Sequence, residues 1–250
     1  MEKRVLVIGD SCTDVHVYGT CSRLCPDAPV PVFLPTHTRK NRGMAGNVYE
    51  NLISLKIGAE LVTNSYDVEK TRYVEQNTNH MIVRIDSGEE KIERIQNIEK
   101  VQFELYDAIV ISDYNKGFLT EEDIAYISQR HSLVFMDTKK LLGDWAKHIE
   151  YIKINEMEYE RTAHTLVGKK WIYDNLIITK GSKGCSYKGE IFPVEKVEIK
   201  DLSGAGDTFL AGLAAKYLES NDMRLSLKFA NECATVVVQQ KGVTIVNDNI

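Results

Sequence analysis

The sequence predicts an α/β fold in which a mostly parallel central sheet is covered by helices on both faces. Short apolar runs of strand length alternate with amphipathic stretches of helical period along most of the 250 residues. Polar residues follow almost every apolar run, as they do where parallel strands end at one edge of a sheet. The chain is long enough for one large α/β domain or two small ones, and we expect a single domain over residues 1–250.

The predicted elements follow one another in a regular order. Apolar runs predict buried strands in RVLVIGD, ELVTN, AIVISD, LVFMD, YIKIN and NLIITKG. Between them, periodicity predicts helices in GNVYENLISLKIGA (closed by Gly58), EEDIAYISQR, LLGDWAKHI and EMEYERTAHTL, with two more in the C-terminal fifth. Residues 73–86 predict two strands joined by a polar turn, and CSYKGEIFPVEKV predicts a β-hairpin.

One segment interrupts this order. Residues 16–36 contain four of the five prolines and show no helical period. Because proline cannot donate to a strand ladder, the segment is predicted to be an edge strand, a flap or an arm. It is too apolar for a plain linker, so we expect a ligand or a second subunit to cover it.

Composition excludes several classes of function. The 31 basic and 36 acidic residues give a net charge of −5 without a basic block, which disfavours nucleic-acid binding. The apolar runs are too short to span a membrane, and the N-terminus does not resemble a secretory signal. Five scattered cysteines favour reduced thiols over disulfides or a metal site, so we expect a cytoplasmic protein.

Polar residues at the strand ends predict a long crevice along the carboxyl edge of the sheet. Any one of them could be a turn or capping residue, but together they point the same way. They are Asp10, Asp14, Asp113, Asp137, Lys139, Asn155, Glu158, Thr179, Gly181 and Gly184.

The stretch DLSGAGDTFLAGLAAKYL, residues 201–218, places two glycines at the start of a strongly periodic helix. Glycines allow backbone N–H groups to converge, and the helix N-terminus is an electropositive anion site. Asp207 lies at this helix mouth, where a carboxylate would repel an anion unless it has a chemical task. The simpler alternative is that Ser203 caps the helix and Asp207 complements its dipole.

These motifs resemble those of the ribokinase-like (PfkB) sugar kinases. DLSGAGDTF, NEME, TKGSKG and RGMAGN match motifs of that family, and VIGDSCTDVHVYG, SRLCPDAPVPV and SDYNKG are similar to its heptose 7-phosphate kinases. The resemblance implies a three-layer sandwich with a small β lid formed by residues 16–36 and part of 72–86. The chain departs from the family at Met44, where a second glycine is usual, and it is shorter between Asn64 and Thr71.

The resemblance also implies site residues. Asp207 would be the catalytic base, with the N–H groups of Gly204, Ala205 and Gly206 holding the transferred phosphate. ATP would be bound by Asn155, Glu158, Thr179, Gly181, Gly184, Asn231 and Gly242, beside Ala234, and Glu158 would hold Mg2+ through water. The sugar would be bound by Asp14, Gly43, Asn47, Asp113 and Lys139. Arg72 and Arg84 are further candidates for a sugar phosphate, whereas Lys140 is expected in solvent.

The resemblance therefore implies ATP- and Mg2+-dependent phosphorylation of a sugar phosphate, at the anomeric hydroxyl of a heptose 7-phosphate, by a homodimer that pairs through the lid. Two alternatives stay open: a kinase of the same fold for another sugar or a nucleoside, and a non-catalytic sugar- or nucleotide-binding relative. A dehydrogenase is disfavoured because the first strand is not followed by G-x-G-x-x-G.

Overall fold

The central sheet provides the platform for the crevice. A computed structural model describes residues 3–246, and in it this sheet has eight strands. They are β1 (Arg4–Gly9), β4 (Gly58–Val62), β7 (Ala108–Asp113), β8 (Val134–Thr138), β9 (Tyr151–Asn155), β10 (Leu176–Thr179), β11 (Cys185–Tyr187) and β12 (Glu190–Phe192). Their order is β12-β11-β10-β9-β8-β7-β1-β4, and all neighbouring pairs are parallel except β10–β11 and β11–β12, which are antiparallel. The predicted mostly parallel sheet is confirmed.

Helices and connecting segments cover both faces of this sheet. The helices are α1 (Ala45–Ser54), α2 (Glu121–Ser128), α3 (Glu156–Thr162), α4 (Ile172–Asn175), α5 (Ala205–Ser220) and α6 (Met223–Val238). On β1, Val5 and Val7 pack towards α1 and α5, whereas Leu6 and Ile8 belong to the core under α2. Because successive strand residues point to opposite faces, this alternation builds the two cores of a three-layer sandwich.

A second, four-stranded sheet, called the lid sheet below, follows the carboxyl end of β1. It contains β2 (Ser11–Thr20), β3 (Leu34–Met44), β5 (Glu69–Glu75) and β6 (His80–Ser87), in the order β3-β2-β5-β6. The proline-rich segment spans part of β2, a loop over residues 21–33 and the start of β3, which is an edge strand. Phe33 packs edge-on against Tyr73, so the loop covers part of the lid sheet.

Two helix predictions are wrong in detail. LLGDWAKHI forms only a single 3-10 turn, Asp144–Ala146. The Leu142 amide donates to the Thr162 hydroxyl at 2.7 Å instead of to a helical carbonyl. The remaining segment is too short to offset the free-energy cost of helix nucleation. Helix α1 ends at Ser54 rather than at Gly58, since the chain reverses at Lys56 with φ 62° and Gly58 already begins β4. Within residues 3–246, no helix has the length and apolar character needed to cross a membrane.

Candidate active site

The mouth of α5 is an open N-terminus built on Gly204. This residue is the N-cap, with φ 80°, and no side chain caps the helix, so the capping role considered for Ser203 is not observed. A Cβ at position 204 would lie 2.6 Å from Asn47 Nδ2, which leaves room only for glycine. The Ala205 N–H bonds to the Leu202 carbonyl at 3.3 Å, whereas the N–H groups of Gly204 and Gly206 find no acceptor among the described residues. The mouth can therefore bind an anion.

Asp207 lies in the first turn of α5 and is only 3% exposed. Its carboxylate accepts a hydrogen bond from the Tyr114 hydroxyl at 2.8 Å and another from Asn47 Nδ2 at 3.1 Å. Burial raises the pKa of Asp207 to about 6, against the opposing effect of these two donors. The group is thus ionised at neutral pH yet more basic than an ordinary carboxylate, which suits it to accept a proton.

A buried ion pair supports the helix mouth from below. Lys153 Nζ lies 2.6 Å from Asp137 Oδ2 and 3.4 Å from the Gly206 carbonyl. Burial by itself would raise the pKa of Asp137, but Lys153 and Lys139 outweigh it and hold that pKa below its ordinary value. Lys139 in turn pairs with Glu158, so cations and carboxylates alternate along the floor of the crevice.

On one side of the mouth lies a cavity of about 340 Å³ between the β10–β11 turn, residues 194–202 and α6. The structure brings together here most of the predicted nucleotide residues, namely Thr179, Gly181, Gly184, Asn231 and Ala234, beside Ala205 and Gly206 of the helix mouth. Gly184 has φ 84°, and a Cβ there would lie 2.0 Å from the Phe192 carbonyl, so the close turn requires glycine. Asn231 donates to that same carbonyl at 2.9 Å and ties α6 to the hairpin.

Three predicted nucleotide residues lie elsewhere. Gly242 lines a separate cavity with His16 and Tyr18. Asn155 and Glu158 form a reciprocal capping box at the start of α3, with Glu158 Oε2 accepting from the Asn155 amide at 2.7 Å and Asn155 Oδ1 accepting from the Glu158 amide at 2.8 Å. The capping interaction and the Lys139 ion pair together fix the Glu158 carboxylate at the crevice floor.

On the other side of Asp207 lies the lid sheet. Asp14 on β2 is 6% exposed and forms an ion pair with Arg72 on the neighbouring β5. A Cβ on Gly43 would lie 2.2 Å from Asp14 Oδ2, so Gly43 lets β3 approach that carboxylate. Met44 follows with φ 61° and ψ −132°, a conformation that suits glycine, and its buried side chain packs among Cys12, Val68 and Tyr114. Asn47 completes this wall and contacts Asp207.

Asp113 is not joined to this group. Its buried carboxylate accepts from the Thr138 hydroxyl at 2.5 Å, the Asn115 amide at 3.1 Å and Lys140 Nζ at 2.8 Å. Lys140 is therefore buried in an ion pair, and the prediction that it points into solvent is wrong. Arg84 pairs with Asp86 at 2.6 Å on the lid sheet.

Sequence reasoning missed two residues of the site. Tyr114 follows β7 within the motif SDYNKG, and only the structure shows its hydroxyl on Asp207. Lys153 occupies the middle of the apolar strand YIKIN, and a lone lysine in a central strand is itself a signal for a buried charge partner.

Comparison with known proteins identifies the family to which the chain belongs. Residues 6–250 match the profile of the pfkB family carbohydrate kinases. The chain is similar to bifunctional protein HldE of Helicobacter pylori (strain HPAG1), with 30% identity over 96% of the chain and 64% of that protein. It is likewise similar to bifunctional protein HldE of a Nitratiruptor species, with 30% identity over 97% of the chain and 63% of that protein. The chain thus spans less than two thirds of the length of these relatives.

Solved structures confirm the ribokinase-like fold. Ribokinase from Thermotoga maritima superposes with a TM-score of 0.71 at 16% identity, covering 97% of this chain and 94% of that one. Ribokinase from Arabidopsis thaliana, complexed with ribose and ATP, gives a TM-score of 0.69 at 15% identity, covering 97% of this chain and 95% of that one. Family match, curated relatives and fold agree over nearly the whole chain, which therefore belongs to the pfkB family of carbohydrate kinases.

Proposed function

We propose that this sugar kinase uses ATP and Mg2+ to phosphorylate the anomeric hydroxyl of a heptose 7-phosphate. The observation that carries the proposal is the position of Asp207, buried at an open helix mouth between the 340 Å³ cavity and Asp14 on the lid sheet. The heptose acceptor is inferred from the motifs that resemble heptose 7-phosphate kinases, and the HldE relatives are consistent with it.

In the proposed reaction, Asp207 accepts the proton of the acceptor hydroxyl as the hydroxyl oxygen attacks the γ-phosphorus of ATP, and the bond from that phosphorus to the β–γ bridging oxygen breaks to release ADP. The free N–H groups at Gly204 and Gly206 then donate to the phosphoryl oxygens, with the Ala205 amide available if its long bond to Leu202 opens. A positioned base contributes about 10²–10⁴-fold to rate. Each preorganised donor contributes on the order of 10²–10³-fold.

ATP is the proposed phosphoryl donor. The adenine would lie in the apolar part of the cavity beside Ala234, and the phosphates would run past Thr179 and Gly181 towards the mouth of α5. The Arabidopsis ribokinase was solved with ATP, which supports this choice of nucleotide.

Glu158, with Asn155, is the proposed holder of Mg2+. Residues 3–246 contain no cluster of three or more histidine, cysteine or acidic side chains suited to a metal ion. The single carboxylate of Glu158, beside the Asn155 amide, fits an ion that keeps most of its waters and is bound through them, as Mg2+ commonly is. When bound, the ion would neutralise charge on the ATP phosphates. Binding of the ion to Glu158 would break the ion pair between Glu158 and Lys139. The Lys139 ammonium group could then pair with a phosphate of ATP.

The acceptor would lie under the lid sheet, with Asp14 and Asn47 bonding its hydroxyl groups and the backbone at Gly43 close to its ring. The edge strand β6 carries Val83 and Ile85, which share one face and are each about half exposed. An exposed apolar stripe of this kind fits a second lid, so we propose a homodimer in which lids pair. The whole chain, 1–250, would act as one kinase domain in each protomer.

The test is ADP release with a panel of acceptors that includes heptose 7-phosphates, other sugar phosphates, free sugars and nucleosides, for wild type and Asp207→Asn. We expect turnover on a heptose 7-phosphate that the variant loses, and phosphorus NMR should show a new anomeric phosphate. Turnover confined to another acceptor would favour the second candidate, a same-fold kinase of different specificity, which the buried Met44 side chain supports. Equal background ADP release by wild type and Asp207→Asn would favour a non-catalytic sugar- or nucleotide-binding protein.

A further inference from the structure

A second polar cavity lies between the lid sheet and the segment that follows α6. It measures about 280 Å³ and is lined by residues of β2 and β3 on one side and by residues 240–245 on the other. None of the described residues that line it is acidic. It adjoins the mouth of α5, because a Cβ on Gly204 would lie 3.3 Å from Val243, one of its lining residues.

Two residues that line this cavity each carry a buried polar atom with no hydrogen-bond partner among the described residues. His16 is 2% exposed and its Nε2 is unpaired, and the Oγ1 atom of Thr244 is likewise buried and unpaired. Buried polar groups in proteins are nearly always paired, so two unpaired atoms on residues that line one cavity point to a ligand that reaches them. Burial, followed by the charge of Arg72, lowers the pKa of His16, so the neutral ring can present an N–H at Nε2.

The charges of the cavity point to an anion. Arg39 and Lys241 line it from opposite sides, and no carboxylate of a described residue lies within ion-pair distance of either. Cations elsewhere in the crevice are neutralised, as in the pairs Arg72–Asp14 and Lys140–Asp113. The nearby Asp201 is occupied by the amides of Ser203 and Gly242 at 2.8 and 3.1 Å.

We propose that this cavity binds a phosphate monoester, carried by the acceptor of the kinase reaction. Arg39 and Lys241 would pair with its oxygens, and His16 and Thr244 would complete the hydrogen bonds. The ligand would connect the lid sheet to the segment after α6, because Arg39 lies on the former and Lys241 on the latter. The identity of the acceptor rests on the proposed function, whereas the affinity of the cavity for phosphate does not.

Steady-state kinetics of Arg39→Ala and Lys241→Ala test the inference, with a heptose 7-phosphate and the same heptose without its phosphate as acceptors. Charge-assisted hydrogen bonds of this kind justify an expected rise of about 10- to 100-fold in KM for the phosphorylated acceptor. The KM for ATP and for the unphosphorylated heptose should stay within about twofold of wild type. The matched control is Lys40→Ala, since Lys40 follows Arg39 on β3, points to the opposite face and lies 3.9 Å from Glu69.

Titration calorimetry with inorganic phosphate separates this inference from the proposed function. Phosphate that binds wild type and Lys40→Ala, but not Arg39→Ala, supports the subsite even if no heptose is turned over. Competition between phosphate and the phosphorylated acceptor assigns the site to the acceptor, while binding without competition assigns it to a free anion. Unchanged KM values in both variants, together with no Arg39-dependent phosphate binding, would overturn it.

Discussion

The two sides of Asp207 are built differently. On the proposed nucleotide side the cavity is already open, is lined mainly by apolar and small residues, and contains no ion pair among its described lining residues. On the proposed acceptor side, ion pairs occupy the lid sheet and its border, as in Arg72–Asp14 and the pairs that Lys70 and Lys116 form with Glu89. The phosphoryl donor would bind in a cavity that is already formed, whereas the phosphoryl acceptor would have to replace ion pairs within the protein. Acceptor specificity should therefore depend on charge, and donor binding on shape.

The largest expected effect lies at the boundary between the two sides. Asp207→Asn keeps the size of the side chain but removes the proposed base, so kcat should fall about 10³-fold, within the range for a positioned base. Binding of ATP and acceptor should change little, which stopped-flow or calorimetric titration would check. An Asp207→Asn variant with wild-type kcat would show that Asp207 is not the catalytic base.

On the acceptor side, Asp14→Asn should raise the acceptor KM by about 10- to 100-fold, the range for hydrogen bonds to a charged group. The KM for ATP should not move, because Asp14 is on the lid sheet and does not line the nucleotide cavity. Initial-rate kinetics measure both constants. Asp107→Asn, which breaks an ion pair with Lys3 remote from the crevice, is the control.

On the nucleotide side, Ala234→Leu should raise the KM for ATP about 10-fold, since an added branched side chain overfills the slot. The acceptor KM should stay constant in the same assays. Glu232→Leu places the same side chain on the exposed surface of α6 and should leave both constants unchanged. A parallel rise of both KM values would mean that the two sides are not independent.

A smaller effect is expected at Tyr114. Asp207 must be ionised to accept a proton, so kcat/KM should decline as pH falls through about 6. The Tyr114 hydroxyl lowers the pKa of Asp207, so Tyr114→Phe should raise that pKa and move the decline to higher pH. The pH profile measures this shift, and kcat at high pH should fall only a few-fold. Tyr106→Phe, which loses a bond to Glu60 far from the site, should keep the wild-type profile.

The last prediction concerns stability at Met44, where the measured quantity is the difference between two variants. Both Met44→Ala and Met44→Gly lose the packing of a side chain that is 3% exposed, a loss of about 2–5 kcal/mol in a rigid core. Only glycine also removes the strain at φ 61° and ψ −132°, about 1–3 kcal/mol for such a conformation. The glycine variant should therefore unfold at higher urea concentration than the alanine variant, the reverse of the usual order. An alanine variant of equal or greater stability would show that Met44 is unstrained.

Most of the fold could be predicted because it depends on local patterns. The apolar runs gave the central strands, and the glycines of DLSGAGDTF predicted the open helix mouth at Gly204. LLGDWAKHI failed because the Thr162 hydroxyl, distant in sequence, takes the amide that a helix would need. Tyr114 escaped prediction for the same reason, since its role is created by a contact with a residue 93 positions away. Contacts between remote residues leave no periodic trace in the sequence.

Strand β2 runs without interruption from Ser11, at the edge of the crevice, to Thr20, at the far end of the lid sheet. It carries Asp14 in one half and Tyr18 in the other, so a movement of this strand as one unit would displace both residues. In the proposed reaction, any swing that lets product leave must also withdraw Asp14 from the sugar. The rate of product release and the affinity for the acceptor would then depend on the same movement, so a mutation that speeds release should also weaken acceptor binding.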